Sequence, residues 1–236
     1  MSQISERAPP QTNWQLAGIV LCGGESRRMG RSKAWLPFGS ETVLARIIGY
    51  VKRVAPSVVV VHRPGQELPP VPYAVQWVAD KFVGHGPLAG LHAGLLAVRD
   101  QATHALVVSC DVPLVRAEFL LRLWECMKQA TMESYGGQAV PLACVPVYEE
   151  RKHPLVAIYA VRVWPIVESL LRAGRLRPAF LLEQIPVRWV FSEEWADVDA
   201  QTLSLFNINT PEEYEAALQL AGLATDGESA WEASGR

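Results

Sequence analysis

The chain has 236 residues, of which half are hydrophobic and 19% charged, a composition that excludes a disordered protein and allows a substantial core. Its formal net charge of −2 argues against a general nucleic-acid surface, so any basic site must be local. The four cysteines, Cys22, Cys110, Cys126 and Cys144, form no C-x-x-C pair, which leaves no zinc signature and no disulfide framework and fits reduced thiols in a cytoplasmic protein.

From the N-terminus, residues 1–13 are polar and lack the apolar core of a signal peptide, and no segment reaches the roughly 18 apolar residues of a membrane span. The expected organisation is a polar tail at 1–13, one domain at 14–222 and a second polar tail at 223–236, with no engagement of membrane or nucleic acid. Leu16–Leu21 reads as a buried parallel strand. Helical patterns at 43–54, 88–98 and 119–130 then alternate with strand-like runs at 57–61, 75–78 and 105–109. Such alternation predicts an α/β fold, a Rossmann-like and mostly parallel sheet flanked by helices. The second half is less regular: strands at 142–147, 155–161 and 187–191, helices at 163–173 and 178–184. Thr210-Pro211-Glu212-Glu213 carries a helix-start signal, with Thr as N-cap, Pro in the first turn and Glu at the positive end of a helix running to about Leu220.

Four places can carry chemistry. The first strand runs into Cys22-Gly23-Gly24 and then Arg27, Arg28, Arg31 and Lys33. Glycines for close backbone approach, followed by cations, suit a polyphosphate, although the spacing is that of neither G-x-G-x-x-G nor G-x-x-x-x-G-K-[ST]. Gly86-Pro87-Leu88-Ala89-Gly90 suits a helix packed closely on a strand end or a ligand. Leu106 to Asp111 is a hydrophobic strand running into an aspartate, at the sheet end where ligands bind in open parallel sheets. Asp111 could hold magnesium together with substrate phosphates, or instead cap the helix after Pro113. Asn207 and Asn209, two apart on an extended segment, point the same way, toward a ligand or simply within a turn. The five histidines show no H-x-x-x-H metal spacing, and no G-x-S-x-G elbow is present. Cys22 reads as a small packing residue rather than a reactive thiol.

In this order the motifs resemble those of the molybdenum cofactor guanylyltransferases, within the larger nucleotidyltransferase group. The matching segments are Leu21 to Lys33, Gly86 to Gly90, Cys110 to Pro113, His153 to Ala157 and Asn207 to Pro211. The resemblance implies transfer of GMP from GTP to molybdenum-molybdopterin, giving the guanine dinucleotide cofactor and pyrophosphate. It implies that Leu21, Cys22, Gly23, Lys33, His62, Asp80 and Asp111 bind the nucleotide, that Asp111 holds Mg2+, that Lys33, Arg28 and Asp111 serve catalysis, and that Asn207 and Asn209 face the pterin. Proteins that insert molybdopterin and acceptor molybdoenzymes are the implied partners. Two departures stand out: Cys22 occupies the usual alanine position of L-A-G-G, and His62 one often filled by asparagine. The alternatives are a molybdopterin cytidylyltransferase, a sugar-1-phosphate nucleotidyltransferase and a non-catalytic nucleotide- or cofactor-binding protein. The Gly24 and Gly86–Gly90 glycines favour guanine over cytosine, and Lys33 with Asp111 favours an enzyme over a binder.

Overall fold

A computed structural model describes residues 13–23, 29, 31–82, 84–134 and 139–223. The strands are β1 (Leu16–Leu21), β2 (Pro37–Phe38), β3 (Glu41–Thr42), β4 (Ser57–His62), β5 (Gln76–Ala79), β6 (His104–Ser109), β7 (Ala143–Tyr148), β8 (Arg151–Lys152), β9 (Val156–Ala160) and β10 (Val187–Phe191). The helices are α1 (Val43–Lys52), α2 (Gly86–Val98), α3 (Ala117–Glu133), α4 (Trp164–Arg172), α5 (Pro178–Leu182) and α6 (Pro211–Leu220). The central sheet runs β10-β7-β9-β6-β1-β4-β5, with β8 paired to β7. Strands β5, β4, β1 and β6 are parallel to one another, while β9 runs antiparallel to both β6 and β7. The expected mostly parallel sheet therefore holds, with β9 and the short β8 as its antiparallel strands.

Alternation along β1 divides the core into two layers. Val20 points to the same side as α1, α3 and α6, where Ile47, Phe119 and Tyr214 are buried. Ala17, Ile19 and Leu21 point to the other side, where Leu88, Leu91, Val167 and Leu181 of α2, α4 and α5 pack. A parallel strand buried on both faces needs apolar residues at every position, which explains the unbroken Leu16–Leu21 run. Helix α2 approaches β1 closely through its glycines. A Cβ on Gly94 would lie 2.5 Å from Ile19 Cγ2, and one on Gly90 would lie 3.4 Å from Leu21 Cδ2. Gly90, at the end of the Gly86–Gly90 segment, thus takes part in close helix–sheet packing.

From β1 the chain moves outward to β4 and β5, then returns to the other side of β1 as β6. The strand order reverses between β1 and β6, and that reversal opens a crevice at their carboxyl ends.

Candidate active site

The crevice is lined by Leu21, Cys22, Ser32, Lys33, Ala34, Ser109, Cys110 and Asp111, and encloses about 70 Å³. The ends of β1 and β6 continue in register beyond the strands. Cys110 N–H donates to Leu21 O at 2.9 Å, and Cys22 N–H donates to Val61 O at 2.8 Å. The amide of Cys22 is therefore committed to the sheet. Lys33 opens a short 3-10 turn, Lys33–Trp35, that stands over the crevice. Its ammonium donates to Asn209 Oδ1 at 2.8 Å and lies 3.6 Å from Asp111 Oδ2.

The asparagine segment is held from two directions. Ile208 N–H donates to Asp111 O at 2.8 Å, which ties the segment to the end of β6. On its far side the first turn of α6 closes a capping box. Thr210 Oγ1 accepts from Glu213 N–H at 3.2 Å, and the Glu213 carboxylate accepts from the backbone N–H groups of Thr210 and Asn209. The Thr-Pro-Glu-Glu signal thus fixes the residue that meets Lys33.

Asp111 does not cap the following helix. Helix α3 begins at Ala117 with Arg116 as its N-cap residue, five positions beyond Asp111. Asp111 Oδ1 is buried and lacks a hydrogen-bond partner. A buried carboxylate oxygen left unpaired is costly, and such atoms call for a ligand or an ion. Among the described residues no three His, Cys, Asp or Glu side chains gather into a metal cluster. That arrangement suits a hard divalent ion held by one carboxylate and by substrate oxygens.

The other expected contacts form a row along the sheet edge. His62 ends β4 and Asp80 follows β5, joined by an Asp80 N–H to His62 O hydrogen bond of 2.8 Å. The His62 ring bonds the Arg63 carbonyl through Nδ1 at 2.8 Å, and Asp80 Oδ1 accepts from Phe82 N–H at 2.8 Å. Gly23, next to Cys22, packs against the chain after β4: a Cβ there would stand 3.5 Å from Arg63 Cγ. Leu21, Cys22, Lys33, Asp111 and Asn209 are brought together, with His62 and Asp80 beside them. Asn207 is half-buried on the same segment as Asn209. Arg28 and Gly24 lie outside the described residues.

One participant went unread in the sequence. Gln66 sits in a proline-rich connection that carries no catalytic signal, yet its Nε2 donates to Cys22 O at 3.0 Å and its Oε1 accepts from Arg63 N–H at 3.1 Å. The thiol of Cys110 hydrogen-bonds Cys22, and that bond with deep burial pushes the Cys110 thiol well above its ordinary range.

Residues 18–187 match the MobA-like NTP transferase domain. A protein of Desulfosudis oleivorans named molybdenum cofactor guanylyltransferase is 32% identical over 209 residues, spanning 86% of this chain and 94% of that one. A Pelotomaculum thermopropionicum protein named a probable molybdenum cofactor guanylyltransferase is 30% identical over 207 residues, 88% of this chain and 94% of that one. The chain belongs to the MobA-like NTP transferase family. The fold agrees with that membership. The crystal structure of the molybdopterin-guanine dinucleotide biosynthesis protein A of Archaeoglobus fulgidus superposes with a TM-score of 0.67 at 23% identity, covering 88% of this chain and all of that one. The 2-C-methyl-D-erythritol 4-phosphate cytidylyltransferase of Thermus thermophilus superposes with a TM-score of 0.62 at 20% identity, over 86% of this chain and 98% of that one.

Proposed function

We propose that the protein transfers GMP from GTP to the terminal phosphate of molybdenum-molybdopterin and releases pyrophosphate. The observation that carries this reading is the meeting of Lys33, Asn209 and Asp111 in the crevice between β1 and β6. The relatives named as guanylyltransferases supply the choice of substrate.

The attacking group is a phosphate, already anionic at neutral pH, so the reaction requires no strong general base. It requires two anions to be aligned and their repulsion relieved. Lys33 provides a mobile cation for the triphosphate, and Asn209 holds that cation in place before substrate arrives. Asp111 has the hard oxygen donor, buried and unpaired, that magnesium takes. Magnesium bound there would neutralise charge on the transferring phosphates. The row from Gly23 to His62 and Asp80 gives the nucleoside a polar track along the sheet edge. Asn207, beside Asn209, faces the pterin end of the crevice in this reading, and Arg28 adds charge from the first loop. The protein acts in the cytoplasm, between proteins that supply molybdopterin and enzymes that receive the product.

Titration with GTP, CTP and ATP, each with magnesium, tests the reading by calorimetry. The expected result is a several-fold preference for GTP. Equal or tighter binding of CTP would make the chain a cytidylyltransferase. Release of pyrophosphate only when the pterin is present separates an enzyme from a binding protein.

A further inference from the structure

Among the described residues, all four cysteines are free and buried, and two of them meet inside the crevice. We propose that Cys22 and Cys110 form an oxidisable dithiol, a modification site at which a peroxide closes a disulfide across the ends of β1 and β6.

The placement comes from the sheet. Leu21 pairs with Ser109, and the hydrogen bond from Cys110 N–H to Leu21 O carries that register one residue further. Cys22 and Cys110 are therefore neighbours across a parallel pair, and both side chains enter the same core layer. Adjacent strands lie about 4.7–4.9 Å apart, within the roughly 4.4–6.8 Å separation of Cα atoms that a disulfide spans. The two cysteines line the same crevice. Gln66 Nε2 stands 3.9 Å from the Cys22 sulfur as a hydrogen-bond donor. That donor, beside Cys22 alone, assigns Cys22 as the attacking sulfur and Cys110 as the resolving one. Alanine at position 22 would leave a single thiol, so the cysteine there creates the pair.

The chemistry balances with a hydroperoxide as oxidant. The Cys22 thiolate attacks one peroxide oxygen, the O–O bond breaks, and the leaving hydroxide takes a proton to become water. Cys110 sulfur then attacks the Cys22 sulfenic acid; the S–S bond forms, the S–O bond breaks, and the departing hydroxide leaves as a second water with the Cys110 proton. Two thiols lose two electrons and the peroxide gains them.

The consequence for nucleotide binding rests on the function proposed above, whereas the disulfide does not. The full chain, reduced and then exposed to a few equivalents of hydrogen peroxide, is alkylated and mapped by peptide mass. The expected product links the Cys22 peptide to the Cys110 peptide, and dithiothreitol reverses it. Cys22→Ala abolishes the link, and Cys126→Ala leaves it intact. GTP with magnesium slows the reaction at least several-fold. A principal link between Cys126 and Cys144, or oxidation of Cys22 and Cys110 without a link between them, overturns the proposal. Should Cys22→Ala fail to fold, the map of the unaltered chain still decides. A Cys22–Cys110 link that forms equally fast with GTP present supports the dithiol and removes the nucleotide from the crevice.

Discussion

Lys33 and Asp111 face each other at 3.6 Å, and the difference between their surroundings predicts different outcomes on substitution. Lys33 holds its position through Asn209 and Asp111, both polar and both partly open to the crevice. Lys33→Ala is expected to weaken triphosphate binding by about 1.5–3 kcal/mol, the worth of a charge-assisted hydrogen bond, with turnover falling in parallel. Calorimetry with GTP and pyrophosphate release read the two effects. Normal binding by Lys33→Ala would reduce this loop to a solvated basic turn. Asp111→Asn removes the charge that attracts magnesium while keeping the shape. Its side chain caps no helix, and its backbone carbonyl, which anchors Ile208, is untouched by the change. Turnover should collapse while the melting temperature changes little, since the substitution keeps the shape and gives up only a partly exposed ion pair with Lys33. An active Asp111→Asn protein would take Asp111 out of the mechanism. A cap would instead have cost stability in Asp111→Ala, and that loss is not expected.

The elements that hold these residues differ in how far they could be read from sequence. Helix α6 was legible because its signal is local: Thr210, Pro211 and Glu213 lie within four residues and form the capping box they suggest. Strand β1 was legible because burial on both faces leaves no polar position. The antiparallel course of β9 was not read, although the short link after β7 argued for it. A parallel return needs a crossover of about a dozen residues or more, and only Glu149 to Leu155 separate β7 from β9, with β8 within that span. The meeting of Lys33 with Asn209, 176 positions apart, was implied only as membership of one site, because no local pattern encodes a contact at that distance. Gln66 was hidden for the same reason. Two substitutions test the elements themselves. Thr210→Ala should cost about 1 kcal/mol by urea unfolding and also raise KM, because the capping turn holds Asn209. Gly94→Ala gains helix propensity of about 1 kcal/mol but sets a methyl against Ile19, so a net loss of about 1–2 kcal/mol is expected. A stabilised Gly94→Ala protein would show that α2 can move off β1 without penalty.

At the scale of the whole molecule, the two ends of the sheet respond differently to pH. The carboxyl ends carry the crevice, while the opposite end carries His104 at the start of β6, in a three-ring cluster with Trp14 at 5.1 Å and Trp124 at 5.2 Å. Burial, helped by the Arg162 cation, lowers the pKa of His104 to about 4. Burial also lowers those of His92 and His153. The folded protein therefore binds fewer protons at these rings than the unfolded chain does. Where the unfolded state binds more protons, stability rises with pH. The contribution of His104 is fully present above the unfolded pKa of about 6.5, declines as pH falls below it, and is gone below about 4. Between pH 7 and pH 5 that ring accounts for up to about 2 kcal/mol of lost stability. His104→Gln removes the titration and should shrink the difference in unfolding free energy between pH 7 and pH 5 by that order, measured by urea at both values. The substitution sacrifices the ring contacts with Trp14 and Trp124, so its stability at pH 7 should fall as well; the diagnostic quantity is the change in slope with pH. An unchanged slope would mean that His104 keeps an ordinary pKa despite its burial. GTP affinity at pH 7 should be the same in both proteins, because β6 carries His104 at one end and meets the crevice only at the other.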